Sequence, residues 1–468
     1  MNLLSKKYFG GLFRSKWFPL VPQLFMLAAF ILLIIGGLGV TANNPDFIYR
    51  LRYTNLANLI VWTLWWPLII IAAVLFGRFW CTVCPMELIT YWASRIGLRR
   101  PVPNFFKTGW VVTIFYAAIW IIGVQVLAIN RVPHQMALYM LFLIITAIDI
   151  SLVFQKRAFC SYVCPVGHLL GLYALISPFE LRADDLSTCK RCKTKDCVTT
   201  KNNYRLTSRS CTSNLYPATI SDNRDCLLCA QCLKACPSSN IRYSSRRPFY
   251  DFFSDINLHP AQIGFIVLLG AFVVYEILSE WPLSFGIMMW LPEHIISALG
   301  LTGPMANLVW TTVMFIVLPV ILLFILSILA MLFSGLKGVN IRSVMSTFAL
   351  LLLPTIAGAH IIKSVLKMSS HIPYWKHAIS DPIGLKAAQS IISGEIVLDN
   401  SIVSTMDSAV SFIITAILLF ALVATMWIFC QSKIVQKHPP GVKLVLLLGV
   451  LSYWTIFGLT IFNWRFGG

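Results

Sequence analysis

The chain has 468 residues, 58% hydrophobic and 12% charged, with a net charge of +19 and a mean hydropathy of +0.77. Soluble domains carry about twice that charged share, so the composition excludes an ordinary string of them. The cationic excess would raise nucleic acid in a soluble protein, but no basic helix or aromatic-interleaved stripe is present. In a membrane protein, Lys and Arg instead collect in loops that face the cytoplasm and anionic lipid.

The opening stretch, MNLLSKKYFGGLFRSKWF, is basic and leads into an apolar run without a small-residue cleavage site, which predicts an uncleaved first span. Nine apolar segments are long enough to cross ~30 Å of hydrocarbon as helices. They lie near 20–40, 58–77, 109–129, 136–155, 261–279, 307–333, 344–362, 408–430 and 443–463. A cytoplasmic N-terminus puts Lys6, Lys7, Arg14, Lys16, Arg78, Arg95, Arg99, Arg100, Lys107, Lys156 and Arg157 inside, and 29 Lys and Arg inside against 8 outside over all loops. That is the sign the positive-inside rule requires. The long polar connection is then cytoplasmic and the C-terminus periplasmic. Three domains are expected: a four-helix membrane domain over 1–179, a polar cysteine-rich domain over 180–259, and a membrane domain of about five helices over 260–468.

The polar stretch contains DCLLCAQCLKACP, in which Cys226, Cys229, Cys232 and Cys236 precede Pro237. This is the bacterial ferredoxin run C-x2-C-x2-C-x3-C-P, whose fourth cysteine ligates the other of two cubes. A zinc site would call for two cysteine pairs, which this spacing fits poorly. Upstream, Cys189, Cys192 and Cys197 form C-x2-C-x4-C, and Cys211 follows. Ferredoxin logic pairs Cys189, Cys192 and Cys197 with Cys236, and Cys226, Cys229 and Cys232 with Cys211, giving two [4Fe-4S] clusters. A local assignment, four from each half, is the alternative. Disulfides are not expected of cytoplasmic thiols. Between 182 and 247 there are 13 Lys or Arg against 5 Asp or Glu, a surface suited to lipid headgroups or to an acidic redox protein.

GRFWCTVCPMELITYW from Gly77 and KRAFCSYVCPVGHLLGLY from Lys156 form an internal repeat. Each ends a span with a basic residue, an aromatic, a cysteine pair and a proline. Two spans separate the copies, so both pairs emerge on one side and Cys81, Cys84, Cys160 and Cys164 are candidates for a further metal or cluster. The alternative is thiols that merely pack at helix ends. Cys430 has no partner in sequence and reads as a small buried side chain.

Span-end cysteine–proline repeats followed by a two-cluster ferredoxin segment resemble the membrane polyferredoxin family. It includes the quinol-dehydrogenase component of periplasmic nitrate reduction, the electron donor of nitrous-oxide respiration and the copper-handling assembly factor of cbb3 oxidases. The resemblance covers roughly residues 58–240. Cys160 and Cys164 match the family's C-x3-C-P, whereas Cys81 and Cys84 stand one residue closer. About five further spans follow, beyond the family pattern, and no large flavin-binding outer domain is present. The resemblance implies an all-α polytopic membrane protein of about nine spans, with an inserted bacterial-type 2[4Fe-4S] ferredoxin domain, in a bacterial inner membrane.

Quinol oxidation releases protons, so a relay is needed. Glu87, after the first cysteine motif, and Asp149, in the fourth span, are the candidates, since intramembrane carboxylates are rare. Asp149 sits about two turns from Arg157 and could simply pair with it. His360 lies in the seventh span, yet no second intramembrane histidine offers itself as an opposite axial ligand, which disfavours haem. His168, three residues after Pro165, is the better metal candidate. No Walker loop, dinucleotide fingerprint, nucleophile elbow or metalloprotease helix appears. The expected function is electron transfer between the quinone pool and a partner oxidoreductase or cytochrome, as a subunit of a complex. A copper reductase or assembly factor, or a mainly structural membrane subunit, are the rivals.

Overall fold

In the computed structural model, which describes residues 7–334 and 340–466, eight helices are long and apolar enough to cross a membrane. Lys6, counted among the cytoplasmic charges, and the last two residues lie outside the described residues. The eight are α1 (Leu20–Gly37), α2 (Leu56–Phe76), α4 (Pro133–Val153), α5 (Pro260–Leu278), α6 (Gly303–Phe333), α7 (Ile341–Ser370), α8 (Ser401–Gln431) and α9 (Pro440–Phe466). A ninth apolar helix, α3 (Trp110–Val126), is shorter than its expected segment. Ala128 adopts a left-handed conformation (φ 52°) and turns the chain there. A helix over Pro282–Ala298 was not expected from sequence.

Local chemistry sets the helix starts. Proline opens α4, α5 and α9, where its missing N–H would have found no partner. Asn55 caps α2 by accepting from the Asn58 amide at 2.9 Å, and Asn340 caps α7 by accepting from the Arg342 amide at 2.9 Å. The windows that define α1 and α7 are 17% and 83% buried. The first therefore leaves most of its apolar surface uncovered by the rest of the chain, and the second is the centre of a bundle, packed against α5, α8 and α9.

The chain forms two compact units. One comprises 1–32, 71–112 and 140–254, so the cysteine-rich segment packs with the span-end repeats. The other comprises 33–70, 113–139 and 255–468. In the first unit, strands β1 (Phe179–Ala183) and β2 (Ile241–Ser245) pair antiparallel, with Phe179 opposite Ser245 and Ala183 opposite Ile241. This ribbon joins the two ends of the polar segment, so the cysteine loops are held between them. Its inner face belongs to a core of Leu181, Cys226, Leu228, Leu233, Ile241 and Tyr243, completed by Phe13 and Phe18 from the N-terminal stretch. Lys234 Nζ donates to the Phe18 carbonyl at 2.5 Å. The aromatic residues of that stretch thus anchor it to the cysteine segment. Cys430, expected to be buried, is exposed at the end of α8.

Candidate iron–sulfur site

The first cysteine loop is built around Asp185 and Asn240. Asp185 caps the helix Leu186–Arg191, accepting from the Ser187 and Thr188 amides at 2.9 and 3.0 Å. The Ser187 and Thr188 hydroxyls, and then those amide bonds, hold its carboxyl well below the usual range. The cap fixes Cys189 inside the helix and Cys192 at its end. Asn240 Nδ2 donates to Cys189 Sγ at 3.3 Å and to the Asp185 carbonyl at 2.6 Å. The Asn240 amide donates to Cys236 Sγ at 3.3 Å. Cys189, Cys192, Cys197 and Cys236 line one hollow beside Tyr216. Burial and then the Cys236 thiol push Cys197 up to about 11.

Cys211, Cys226, Cys229 and Cys232 gather as a second set. Leu228 and Ala230 take left-handed conformations (φ 57° and 55°), which wraps the run tightly enough for three thiols to converge. Burial, then Cys211, Cys229 and Cys226, push Cys232 well above the ordinary thiol value. The Cys211 amide donates to the Cys197 carbonyl at 2.7 Å, which ties the sets together. Four crowded, buried thiols ionise at a high cost unless a cationic core neutralises them, which is what a metal or iron–sulfur centre supplies. Cys236 thus lies beside Cys189, Cys192 and Cys197, and Cys211 beside Cys226, Cys229 and Cys232.

The repeated elements share their local geometry. Each begins at a left-handed residue, Gly77 (φ 62°) or Lys156 (φ 60°), followed by Arg78 or Arg157. A short helix then carries the first cysteine, and the proline opens the next helix directly after the second. The four thiols converge: burial, then Cys160 and Cys81, push Cys84 well up. Burial, against the Arg157 charge, pushes Cys160 up to about 12. The Gly167 amide donates to Cys164 Sγ at 3.4 Å. Among the described residues no three His, Cys, Asp or Glu are grouped to hold a single metal ion. A tetrahedral zinc site would need thiolates about 2.3 Å from one centre, whereas ligands of a cube are spread over four irons.

Several bonds lock these elements to the cysteine segment. Thr82 Oγ1 donates to the Leu227 carbonyl at 2.7 Å and Arg78 to the Arg224 carbonyl at 2.8 Å. Glu87 is 3% exposed and bridges Arg157 at 3.1 Å and Arg209 at 3.0 Å. Burial opposes the Arg157 charge and Glu87 more than offsets it, raising the guanidinium. The carboxylate named as a proton relay is therefore engaged as a structural tie. Asp149 is exposed on α4 and forms no ion pair among the described residues, because Arg157 turns to Glu87 instead. Burial, with Arg78 and Arg224, lowers His168 to about 3, so the ring is neutral. His360, 3% exposed, packs between Trp66 and Phe272 at ring separations of 6.1 and 5.8 Å. The structure does not bring His168 or His360 into a metal-binding group among the described residues. Sequence reasoning missed Arg209, Asn240, Phe13 and Phe18. Only the position of Asn240, close after the cysteine–proline run, gave any signal.

These features define a largely helical chain with eight helices long and apolar enough to cross a membrane among the described residues, and a ferredoxin-type set of cysteines. A family profile described as a 4Fe-4S binding domain matches residues 58–103 and 136–182, each of which contains one copy of the repeat with the span before it. The match falls on Cys81, Cys84, Cys160 and Cys164, not on the 189–236 run. Over 109 residues the chain is 28% identical to YccM of Escherichia coli (strain K12), named as a proposed electron transport protein; this covers 22% of the chain and 26% of that protein. Over 87 residues it is 31% identical to an uncharacterized protein of Methanocaldococcus jannaschii, covering 19% of the chain and 30% of the relative. The chain thus spans less than a third of either relative's length. No solved structure matches. The matches bear out the resemblance to membrane polyferredoxins.

Proposed function

We propose that the chain carries two [4Fe-4S] clusters in the 189–236 segment and passes electrons between the membrane quinone pool and a partner oxidoreductase or cytochrome, as a subunit of a complex. The observation that carries this reading is the crossed gathering of eight thiols, with Cys236 beside Cys189, Cys192 and Cys197 and Cys211 beside Cys226, Cys229 and Cys232. Such clusters, when bound, take up and release single electrons. The chain's residues hold them: Asn240 donates to two thiolates, and the Glu87 tie fixes the second set against the span-end helices. In the proposed orientation this assembly faces the cytoplasm of a bacterial inner membrane, where the cationic 182–247 surface meets lipid headgroups or an acidic redox partner. Because ~30 Å of hydrocarbon is too far for unaided tunnelling, the link is a diffusing quinone in this reading, the alternatives being a further cofactor partway or a partner on the same side.

The test is anaerobic purification, iron and sulfide analysis, and EPR-monitored reduction by a quinol analogue. Cubane signals that grow with quinol support the reading, and a colourless, iron-free chain ends it. A second reading, a copper reductase or assembly factor, rests on the repeat cysteines Cys81, Cys84, Cys160 and Cys164, of which no three are grouped to hold one ion among the described residues. A Cys81→Ser, Cys84→Ser variant separates the two. Loss of copper handling with quinol oxidation intact favours the second reading.

A further inference from the structure

The second unit contains a cavity of about 540 Å³ that the electron-transfer reading does not use. That is the size of a metabolite site. It is lined by the helix Pro45–Thr54, the π-helical end of α3 and the ends of α5, α7, α8 and α9. Its charges are the first clue. Of the 8 Lys and Arg that the sequence places opposite the cysteine loops, five line this one cavity: Arg52, Arg131, Lys363, Lys367 and Arg465. The positive-inside rule depletes that side of cations, so their concentration here needs a cause.

Pairing shows where the excess lies. The cavity's three carboxylates are already engaged. Glu276 pairs with Lys363 at 3.5 Å and Lys367 at 3.1 Å, Glu280 pairs with Lys363, and Asp407 pairs with Arg465. Arg52 and Arg131 have no carboxylate partner among the described residues, although each lies within electrostatic reach of the other. Arg52 is held between rings, 4.5 Å from the Tyr49 centroid and 4.1 Å from that of Tyr53, and its Nε is buried without a hydrogen-bond acceptor. Arg131 is exposed and Arg52 half-buried, and two neighbouring guanidiniums repel each other, a cost that a shared anion removes. His371 adds no charge. Its Nδ1 donates to the Lys367 carbonyl at 2.6 Å, and burial lowers it to about 4.

We infer that this cavity is a binding site for an oxyanion, a phosphate or carboxylate group, clasped by Arg52 and Arg131. The chemistry is common to a soluble organic acid or phosphate and to the headgroup of an anionic lipid. Quinone is a poorer match, since the walls carry eight acidic or basic side chains and a quinone ring offers no charge to meet them. The inference does not depend on the clusters.

The test is isothermal titration of the full chain, in zwitterionic detergent, against inorganic phosphate, succinate and a short-chain phosphatidylglycerol. Saturable binding of phosphate or succinate identifies a soluble oxyanion, and binding of phosphatidylglycerol alone identifies a headgroup. In either case Arg52→Gln and Arg131→Gln each weaken binding about tenfold or more. Lys433→Gln, at an exposed site outside the cavity, leaves it unchanged. Wild-type elution and iron content show that each variant is folded. Absence of binding by all three probes overturns the inference. So does binding that survives both arginine substitutions, or that falls equally in Lys433→Gln.

Discussion

Replacing Glu87 by Gln tests the tie between the span-end repeats and the cysteine segment. The carboxylate is 3% exposed, and its partners Arg157 and Arg209 are 4% and 7% exposed. Removing one member of a buried ion pair costs about 3–5 kcal/mol, because the remaining charge is left uncompensated. Here two guanidiniums lose their anion at once, so Glu87→Gln should fall in the upper part of that range. Arg209→Gln leaves the Glu87–Arg157 pair standing and should cost less. Both are measured by far-UV circular dichroism melts in detergent, with iron per chain followed at one temperature. Two results refute the reasoning: a Glu87→Gln variant as stable as wild type, or an Arg209→Gln variant less stable than Glu87→Gln. If Glu87→Gln keeps full stability but loses quinol-driven reduction, the carboxylate moves protons and is not a tie.

Three other substitutions probe the same unit. Asn240→Val removes an N–H···S bond to Cys189, so the potential of the cluster proposed there should move to a more negative value in an EPR redox titration. An unchanged potential would show that Asn240 serves only the Asp185 loop. Gly171→Ala puts a Cβ 2.6 Å from the Arg224 carbonyl oxygen. Backbone must shift, at about 1–3 kcal/mol, read as a lower melting temperature with early iron loss. His168 supplies a pH limb. Its folded pKa is lowered to about 3, against roughly 6.5 when unfolded. Its contribution is therefore complete above pH 6.5 and is lost as pH falls from there toward 3. The ring is not wholly enclosed, so about 2 kcal/mol between pH 6.5 and 5 is a ceiling. His168→Gln should flatten that limb, and a limb that persists assigns it to another group.

The spans were legible because apolar length alone specifies them, and the cysteine run because its spacing is chemically restrictive. Other features depended on tertiary contact that no local pattern records. Glu87 stood beside a cysteine motif and looked like a proton carrier. Only the fold brings Arg209, 122 positions away, onto its free oxygen. Asp149 looked paired to Arg157 along one chain direction, yet the turn at Lys156 (φ 60°) carries the arginine inward. Cys430 was read as buried because thiols usually are, but α8 ends in exposed surface there. Phe13 and Phe18 looked like the flank of a first span, and they complete the core under the cysteine loops.

The repeat deserves a second function besides anchoring. Both copies place an arginine one residue after a left-handed turn, and the two arginines diverge in use. Arg78 reaches the Arg224 carbonyl and Asp225 at 3.7 Å, the approach to Cys226. Arg157 reaches Glu87, whose charge is felt at Cys160 in the repeat and at Cys229 in the second foursome. One buried charge group therefore acts on two sets of thiols at once. If both sets hold clusters, Glu87→Gln should move both potentials in the same, positive direction, since an anion that favours each oxidised state is gone. A shift confined to the 226–232 set would leave the repeat cysteines with a structural or metal-handling task.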